Sequence, residues 1–324
     1  MSEPAAAAFL ATVPLFAGGD ETGLAAVAPM LRRRAIARDE VVWNQGDDAR
    51  ELLIVVAGAL SASLHVPGDR VVEIATAGPG DTVGEIALLD GGPHTMSVRA
   101  VEATTVLALG RVELAALLAP QDPAAFGLRR RLAALLTARH RNQLARLSDS
   151  LGGEPSGPTA ADADRAFAEL EPCGPPDSRY VRRMATFHDL DSLALWGFLT
   201  SGTYARCGRG RTLVAEGAPA TACYLTINGA VEQVLARGAR RIRVGLAGPG
   251  KAFGYESLVD GGPSPVTAVT RERALLLVLP RDRFTQLFHG EDAVSRVFLD
   301  VIRRELVATL RQTLRPHARL AASL

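Results

Sequence analysis

Gly84-Glu85-Ile86-Ala87 places a carboxylate directly after a glycine and ahead of a short apolar turn, and Gly254-Tyr255-Glu256 echoes it further on. A glycine lets the backbone bend sharply at such a point. The amides of the turn that follows face outward, where the helix dipole favours an anion. A glutamate beside that anion can accept from a sugar hydroxyl. This is the chemistry of binding a phosphate joined to a sugar. Both strings run into the same four residues, Asp90-Gly91-Gly92-Pro93 and Asp260-Gly261-Gly262-Pro263. Polar side chains follow: His94, Thr95 and Ser97 in the first copy, Ser264 and Thr267 in the second.

The elements around these strings are also written twice. Phe16, Gly46 and Gly58 recur as Phe187, Gly217 and Gly229, an offset of 171 residues. Gly78, Pro79, Gly80 and Gly84 recur as Gly248, Pro249, Gly250 and Gly254, an offset of 170 after a one-residue deletion in the intervening loop. So long a period implies duplicated domains, since solenoid repeats are shorter. Val41-Val42-Trp43, Leu53-Ile54-Val55-Val56, Val71-Val72-Glu73-Ile74 and Val106-Leu107-Ala108-Leu109 are short β-rich runs separated by turns, as in a small β barrel or sandwich. The spacing predicts β rolls over residues 35–109 and 206–279, each interrupted by one short helix after Gly84 or Gly254. Helical spacing returns after Arg111, and a long helix is expected from about Ala124, marked by Leu128, Leu132, Leu135, Leu136, Leu144 and Leu147. A second long helix begins near Glu291. Its stripe Val294, Phe298, Ile302, Leu306, Leu310 and Leu314 must pack on its own domain or on a partner helix, and Pro316 is expected to limit it. The expected division is 1–150, a linker at 151–178 with a short helix at 161–170, and 179–324.

Composition narrows the function. The 324 residues are nearly half hydrophobic and carry a net charge of +1, with arginines spread through both halves. No basic face marks a nucleic-acid surface. Three cysteines, Cys173, Cys207 and Cys223, fit neither a disulfide framework nor a zinc pattern and read as free thiols of a reducing cytosol. No apolar run is long enough to span a bilayer, and the Ala-rich N-terminus lacks a basic leader. A cytoplasmic protein is expected. Six scattered histidines form no metal-spaced or Ser-His-Asp set, so no enzyme and no metal is expected.

The cassette and its upstream glycines resemble the cyclic-nucleotide-binding domain of catabolite activator proteins and protein kinase A regulatory subunits, over residues 9–149 and 180–314. The resemblance implies a mainly β fold with flanking helices: two jelly-roll-like β rolls, each followed by a long helix. It implies that Gly84, Glu85, Ile86, Ala87, His94, Thr95 and Ser97 line the ligand in copy one. Their counterparts in copy two are Gly254, Tyr255, Glu256, Ser264 and Thr267. In the family the glutamate bonds the ribose 2′-hydroxyl and an arginine pairs with the cyclic phosphate. Here His94 stands at the arginine position of copy one. In copy two Tyr255 replaces the glutamate and Ser264 the arginine, while Glu256 falls one position late. Ser97 and Thr267 match the hydroxyl residue near the base. A hydrogen bond to a charged group contributes about 1.5–3 kcal/mol, roughly 10- to 150-fold in affinity. Imidazole titrates near pH ~6.5 and lacks the guanidinium fork. Cyclic AMP or cyclic GMP is therefore the candidate ligand at copy one only, with no other cofactor expected.

Trp43 and Trp196 read as packing residues, and Arg139, His140 and Arg141 as a solvated helix face. Arg32-Arg33-Arg34-Ala35-Ile36 resembles a kinase pseudosubstrate, but it lies where the leading helix gives way to the first strand. From Glu291 onward 34 residues remain, too few for a DNA-reading winged helix. The expected function is a regulatory ligand sensor acting through contact with a protein partner, with a homodimer through the long helices as one form. The alternative is a constitutive scaffold that has lost both ligand sites. Neither nucleic acid nor membrane is expected as a partner.

Overall fold

The computed structural model describes residues 3–66 and 70–323, which group into two compact units. One runs to Leu135 and takes in the chain from His317 onward; the other is Leu136–Pro316.

In the first unit α1 (Glu3–Leu10) and α2 (Glu21–Val27) lead. The Asp20 carboxylate caps α2 by accepting from the Gly23 amide at 2.7 Å. The strands are β1 (Arg32–Ile36), β2 (Val41–Trp43), β3 (Glu51–Ala57), β4 (Leu60–Val66), β5 (Arg70–Ala77), β6 (Thr82–Val83), β7 (Ser97–Ala100) and β8 (Thr104–Gly110), with α3 (Glu85–Asp90) between β6 and β7. They pair antiparallel as β1-β8-β3-β6 and β2-β7-β4-β5. Along β4, Leu60, Ala62, Leu64 and Val66 are buried in alternation, as a strand with one face on the core requires. Leu53, Leu60, Ala62, Val83, Val98 and Val106 fill the space between the sheets. Then come α4 (Arg111–Leu118) and α5 (Pro123–Leu151).

The second unit repeats the plan. Residues 136–151 of α5 belong to it, followed by α6 (Ala160–Ala168), β9 (Glu171–Cys173), α7 (Ser178–Arg182) and α8 (Ser192–Leu199). Strands β10 (Thr203–Cys207), β11 (Thr212–Val214), β12 (Ala222–Asn228), β13 (Val231–Arg237), β14 (Arg240–Ala247), β15 (Ala252–Phe253), β16 (Thr267–Thr270) and β17 (Ala274–Pro280) hold α9 (Glu256–Asp260) between β15 and β16. Their orders are β15-β12-β17-β10-β9 and β11-β16-β13-β14. The Gly- and Pro-rich stretch before copy two is structured: Ala166 and Phe167 of α6, and Leu170 just after it, pack on the core, and β9 adds an edge strand to β10. Sequence periodicity did not reveal β9, which is three residues long and contains Pro172.

α10 (Arg281–His289) and α11 (Ala293–Ser323) end the described chain. Phe298, Ile302, Leu306, Leu310 and Leu314 are all buried. Phe298 lies 5.1 Å from Phe284, edge to face, and 5.7 Å from Phe198. Arg304 forks Asp189 at 2.6 and 2.8 Å. The expected stop at Pro316 is corrected: α11 runs through it. A proline in a helix interior costs about 3 kcal/mol, which the buried stripe of a 31-residue helix outweighs. Leu306→Ala should cost about 2–5 kcal/mol of stability, as for other buried leucines, read from the urea midpoint. An unchanged midpoint would show that the stripe does not hold the fold.

Candidate functional site

Copy one is built on Gly84, which leaves β6 with φ 93° and caps α3. A Cβ at this position would lie 3.0 Å from the Glu51 carbonyl and 3.1 Å from the Trp43 ring, so both backbone angle and space demand glycine. Glu85, Ile86 and Ala87 are buried in the turn that follows. The backbone of His94 is pinned at both ends: its amide donates to Asp47 O at 2.8 Å, and its carbonyl accepts from Gly46 at 2.9 Å. Its buried ring lies flat on the Trp43 indole, with centroids 4.1 Å apart and planes 6° from parallel. Thr95 is half-buried. Ser97 is buried, and its hydroxyl accepts from the Gln45 amide at 2.9 Å and sits 3.3 Å from His65 Nδ1. A surface pocket of about 390 Å³, walled by Arg34, Asp47, Arg50 and Glu51, reaches Trp43 and His94.

Copy two has the same backbone with different occupants. Gly254 has φ 77°, and a Cβ there would lie 3.1 Å from both Ala222 O and Val214. Tyr255, in the glutamate position, is fully buried and its hydroxyl lies 3.2 Å from Thr309 Oγ1 on α11. Burial, with Glu256 and Glu305 nearby, pushes that hydroxyl well above the usual phenol range. Glu256 is buried with Oε1 3.4 Å from His140 Nδ1 on α5, whose Nε2 is 3.1 Å from Thr313 Oγ1. Ser264 is pinned as His94 is, by Ala218 and Gly217, and among the described residues its buried hydroxyl has no hydrogen-bond partner. Thr267 accepts from the Glu216 amide at 3.1 Å, the counterpart of Ser97 with Gln45.

The expectation of a solvated face at Arg139–Arg141 is corrected for two of its residues. His140 is fully buried, and Arg141 donates to both carboxylate oxygens of Asp260 and to the Pro263 carbonyl. The helix stripe alone did not show it, because the partner residues lie more than a hundred positions away in sequence. The packing role expected of the tryptophans divides. Trp43 packs on His94, whereas Trp196 on α8 is 43% exposed beside Leu193 at 82%.

The two interiors differ most. Where β3, β4 and β6 of copy one carry Leu53, Ala62 and Val83, the matching strands of copy two carry Tyr224, Gln233 and Phe253. The Tyr224 and Phe253 rings stack 5.0 Å apart. Gln233 lies over Gly245, where copy one has Ala75. Arg237 and Glu216 form a largely buried ion pair at 2.6 and 3.1 Å, with Ser148 at 2.7 Å. In copy one Val42, Trp43, Ala75 and Met96 keep partial solvent access, whereas their counterparts Leu213, Val214, Gly245 and Val266 are buried. Tyr224, Gln233 and Phe253 escaped the sequence reading, which followed the cassette; comparing the two copies strand by strand would have found them.

Beside the copy-two cassette, the sequence's one lysine, Lys251, lies 3.1 Å from the buried Glu305 on α11. Burial lifts the Glu305 carboxyl from 4.5 to about 7, against the opposing pull of Lys251. Among the described residues no three His, Cys, Asp or Glu side chains are placed to hold a metal ion.

Two antiparallel β rolls in tandem, each broken by a short helix that follows Gly84 or Gly254, define the architecture. The cyclic nucleotide-binding domain family model matches residues 33–121 and 205–291, more than half of the chain, and the chain belongs to that family. It is similar to a CRP-like cAMP-activated global transcriptional regulator of Mycobacterium tuberculosis, 28% identical over 133 residues, covering 41% of this chain and 59% of that protein. A cyclic AMP receptor protein of Thermus thermophilus is 33% identical over 105 residues, covering 32% of this chain and 49% of its own. The chain thus spans about half of the length of these relatives. Among solved structures, the regulatory domain of Toxoplasma gondii PKA with cAMP is 20% identical, covering 89% of this chain and 93% of that one, with a TM-score of 0.35.

Glu305 generates a pH dependence with a definite sign. Its folded-state value lies above its unfolded value, so its contribution to stability is complete below about pH 4.5 and lost as pH rises through about 7. The melting temperature should therefore fall between pH 5 and 8, and Glu305→Gln should flatten that slope in a calorimetric series. An equal slope in the variant would place the titration elsewhere.

Proposed function

We propose that this tandem cyclic-nucleotide-binding domain protein is a non-enzymatic regulator in which copy one takes the ligand and copy two is a closed pseudo-site. The asymmetry of the two interiors carries the reading. Leu53, Ala62 and Val83 of copy one stand where copy two carries the larger Tyr224, Gln233 and Phe253. Residues of copy one also keep solvent access where their counterparts are sealed. Glu85 stands at the ribose position and His94 at the phosphate position. The ligand is a cyclic nucleotide, cyclic AMP or cyclic GMP, bound more weakly than an arginine-bearing cassette would bind it. The output is a contact with a protein partner, and the exposed Leu193 and Trp196 are suited to one. A homodimer through the long helices is one form that contact takes. No helix of the described residues is long and apolar enough to cross a membrane, and a cytoplasmic site of action fits the free cysteines.

A second reading, a constitutive scaffold, draws on the losses at Tyr255, Ser264 and His94. Titration calorimetry with cyclic AMP and cyclic GMP at neutral pH separates the two. The sensor binds near one equivalent; the scaffold stays silent to millimolar ligand. His94→Arg should tighten binding about 10- to 150-fold through a charge-assisted, bidentate contact. Glu85→Ala in that background should reverse much of the gain. Ser264→Arg should do far less, because Tyr255, turned to Thr309 on α11, leaves copy two without the carboxylate of Glu85. If His94→Arg binds no better than the parent chain, the scaffold reading replaces the sensor.

A further inference from the structure

The four-residue run shared by both copies has no part in the cradle described above, yet its geometry is the same twice. Gly91 and Gly261 close α3 and α9 with φ 72° and 74°. Asp90 and Asp260 each turn one carboxylate oxygen back to the amide two residues on, Gly92 or Gly262, at 2.9 Å. The loop itself thus holds one oxygen of its carboxylate in place in both copies.

In the second unit that carboxylate has an occupant. Arg141 of α5 donates from Nε to Asp260 Oδ2 at 2.5 Å, from Nη2 to Oδ1 at 2.8 Å and from Nη1 to the Pro263 carbonyl at 2.6 Å. All three guanidinium nitrogens are engaged, a pattern that the three donors of an ammonium on one atom cannot reproduce. Gly262 is part of the fit: a Cβ there would lie 3.0 Å from Arg141 Nη2 and 3.3 Å from its Cζ. The preceding residue on α5, His140, sits against Glu256 of the same cassette. The seat is partly open, with about a quarter of each side chain exposed, and so lies within reach of solvent.

We propose that the Asp260–Pro263 loop is a docking seat for an arginine carried on a helix, filled in cis by Arg141, and that a partner protein presenting a helix arginine competes for it. The preformed carboxylate, the carbonyl beside it and the side-chain-free Gly262 set the chemistry of the partner: a guanidinium is accepted, and a lysine is a poor substitute. α5 acts as the built-in competitor, and any event that loosens it raises the apparent affinity of the seat for the partner.

The probe is a fluorescein-labelled peptide of residues 133–151, followed by anisotropy against the full chain with no nucleotide present, so the outcome is independent of ligand binding at copy one. Arg141→Ala in the chain weakens the cis competitor, and the peptide should bind that variant about tenfold or more tightly than the parent. The gain should vanish when Asp260→Asn is added, and when the peptide's own Arg141 is replaced by alanine. If the Arg141→Ala chain does not fold, Arg141→Lys, which keeps the charge and loses the fork, should show a smaller gain in the same direction. Equal binding by a folded variant and its parent, or a gain that survives either control, overturns the proposal.

Discussion

A left-handed glycine at the end of a two-residue strand is the constraint on which both copies depend. At Gly84 and Gly254 the chain must reverse from β6 or β15 into a helical turn with no room for a side chain. That reversal buries the first residues of the turn and brings the closing glycine and the following loop to fixed positions. It also sets residue 94 or 264 between two backbone hydrogen bonds on the opposite loop. The scaffold is thus determined before the identity of the ligand-facing side chains matters, and substitutions at those positions leave the backbone unchanged.

That separation explains how one chain can hold the same cradle in two conditions. Where copy one has Glu85, its counterpart Tyr255 extends a polar group to α11, where Thr309 receives it. Enlarging Leu53 and Val83 to Tyr224 and Phe253 puts a stacked ring contact where copy one has aliphatic packing, which adds apolar burial. The ion pair of Arg237 and Glu216 adds a polar plug whose members satisfy each other. The larger side chains of copy two thus add to its core, while Val42, Trp43, Ala75 and Met96 at the edge of the copy-one core keep partial solvent access.

The architecture was legible in the sequence because glycine is tied to backbone geometry: matched glycines predict matched turns, and the strands between them follow. The long helices were legible through their leucine periodicity. The occupants of the site were less so. The stacking of His94 on Trp43 joins residues fifty-one positions apart, and neither type alone announces it. His140 and Arg141 sit in an arginine-rich stretch of helix that reads as solvent-facing until Glu256 and Asp260 are placed against it. Pro316 shows the reverse error, a strong local signal overridden by the burial of the turns before it.

The two tryptophans have an optical consequence. One belongs to each copy: Trp43 lies stacked under an imidazole at the cradle, and Trp196 stands on α8 in contact with water. Their emission therefore separates by environment, the stacked indole quenched by its neighbour and the exposed one shifted to longer wavelength. Without any label, the protein carries an internal gauge for copy one and a reference for copy two, so a change in the ratio of the two components reports which half of the molecule has moved.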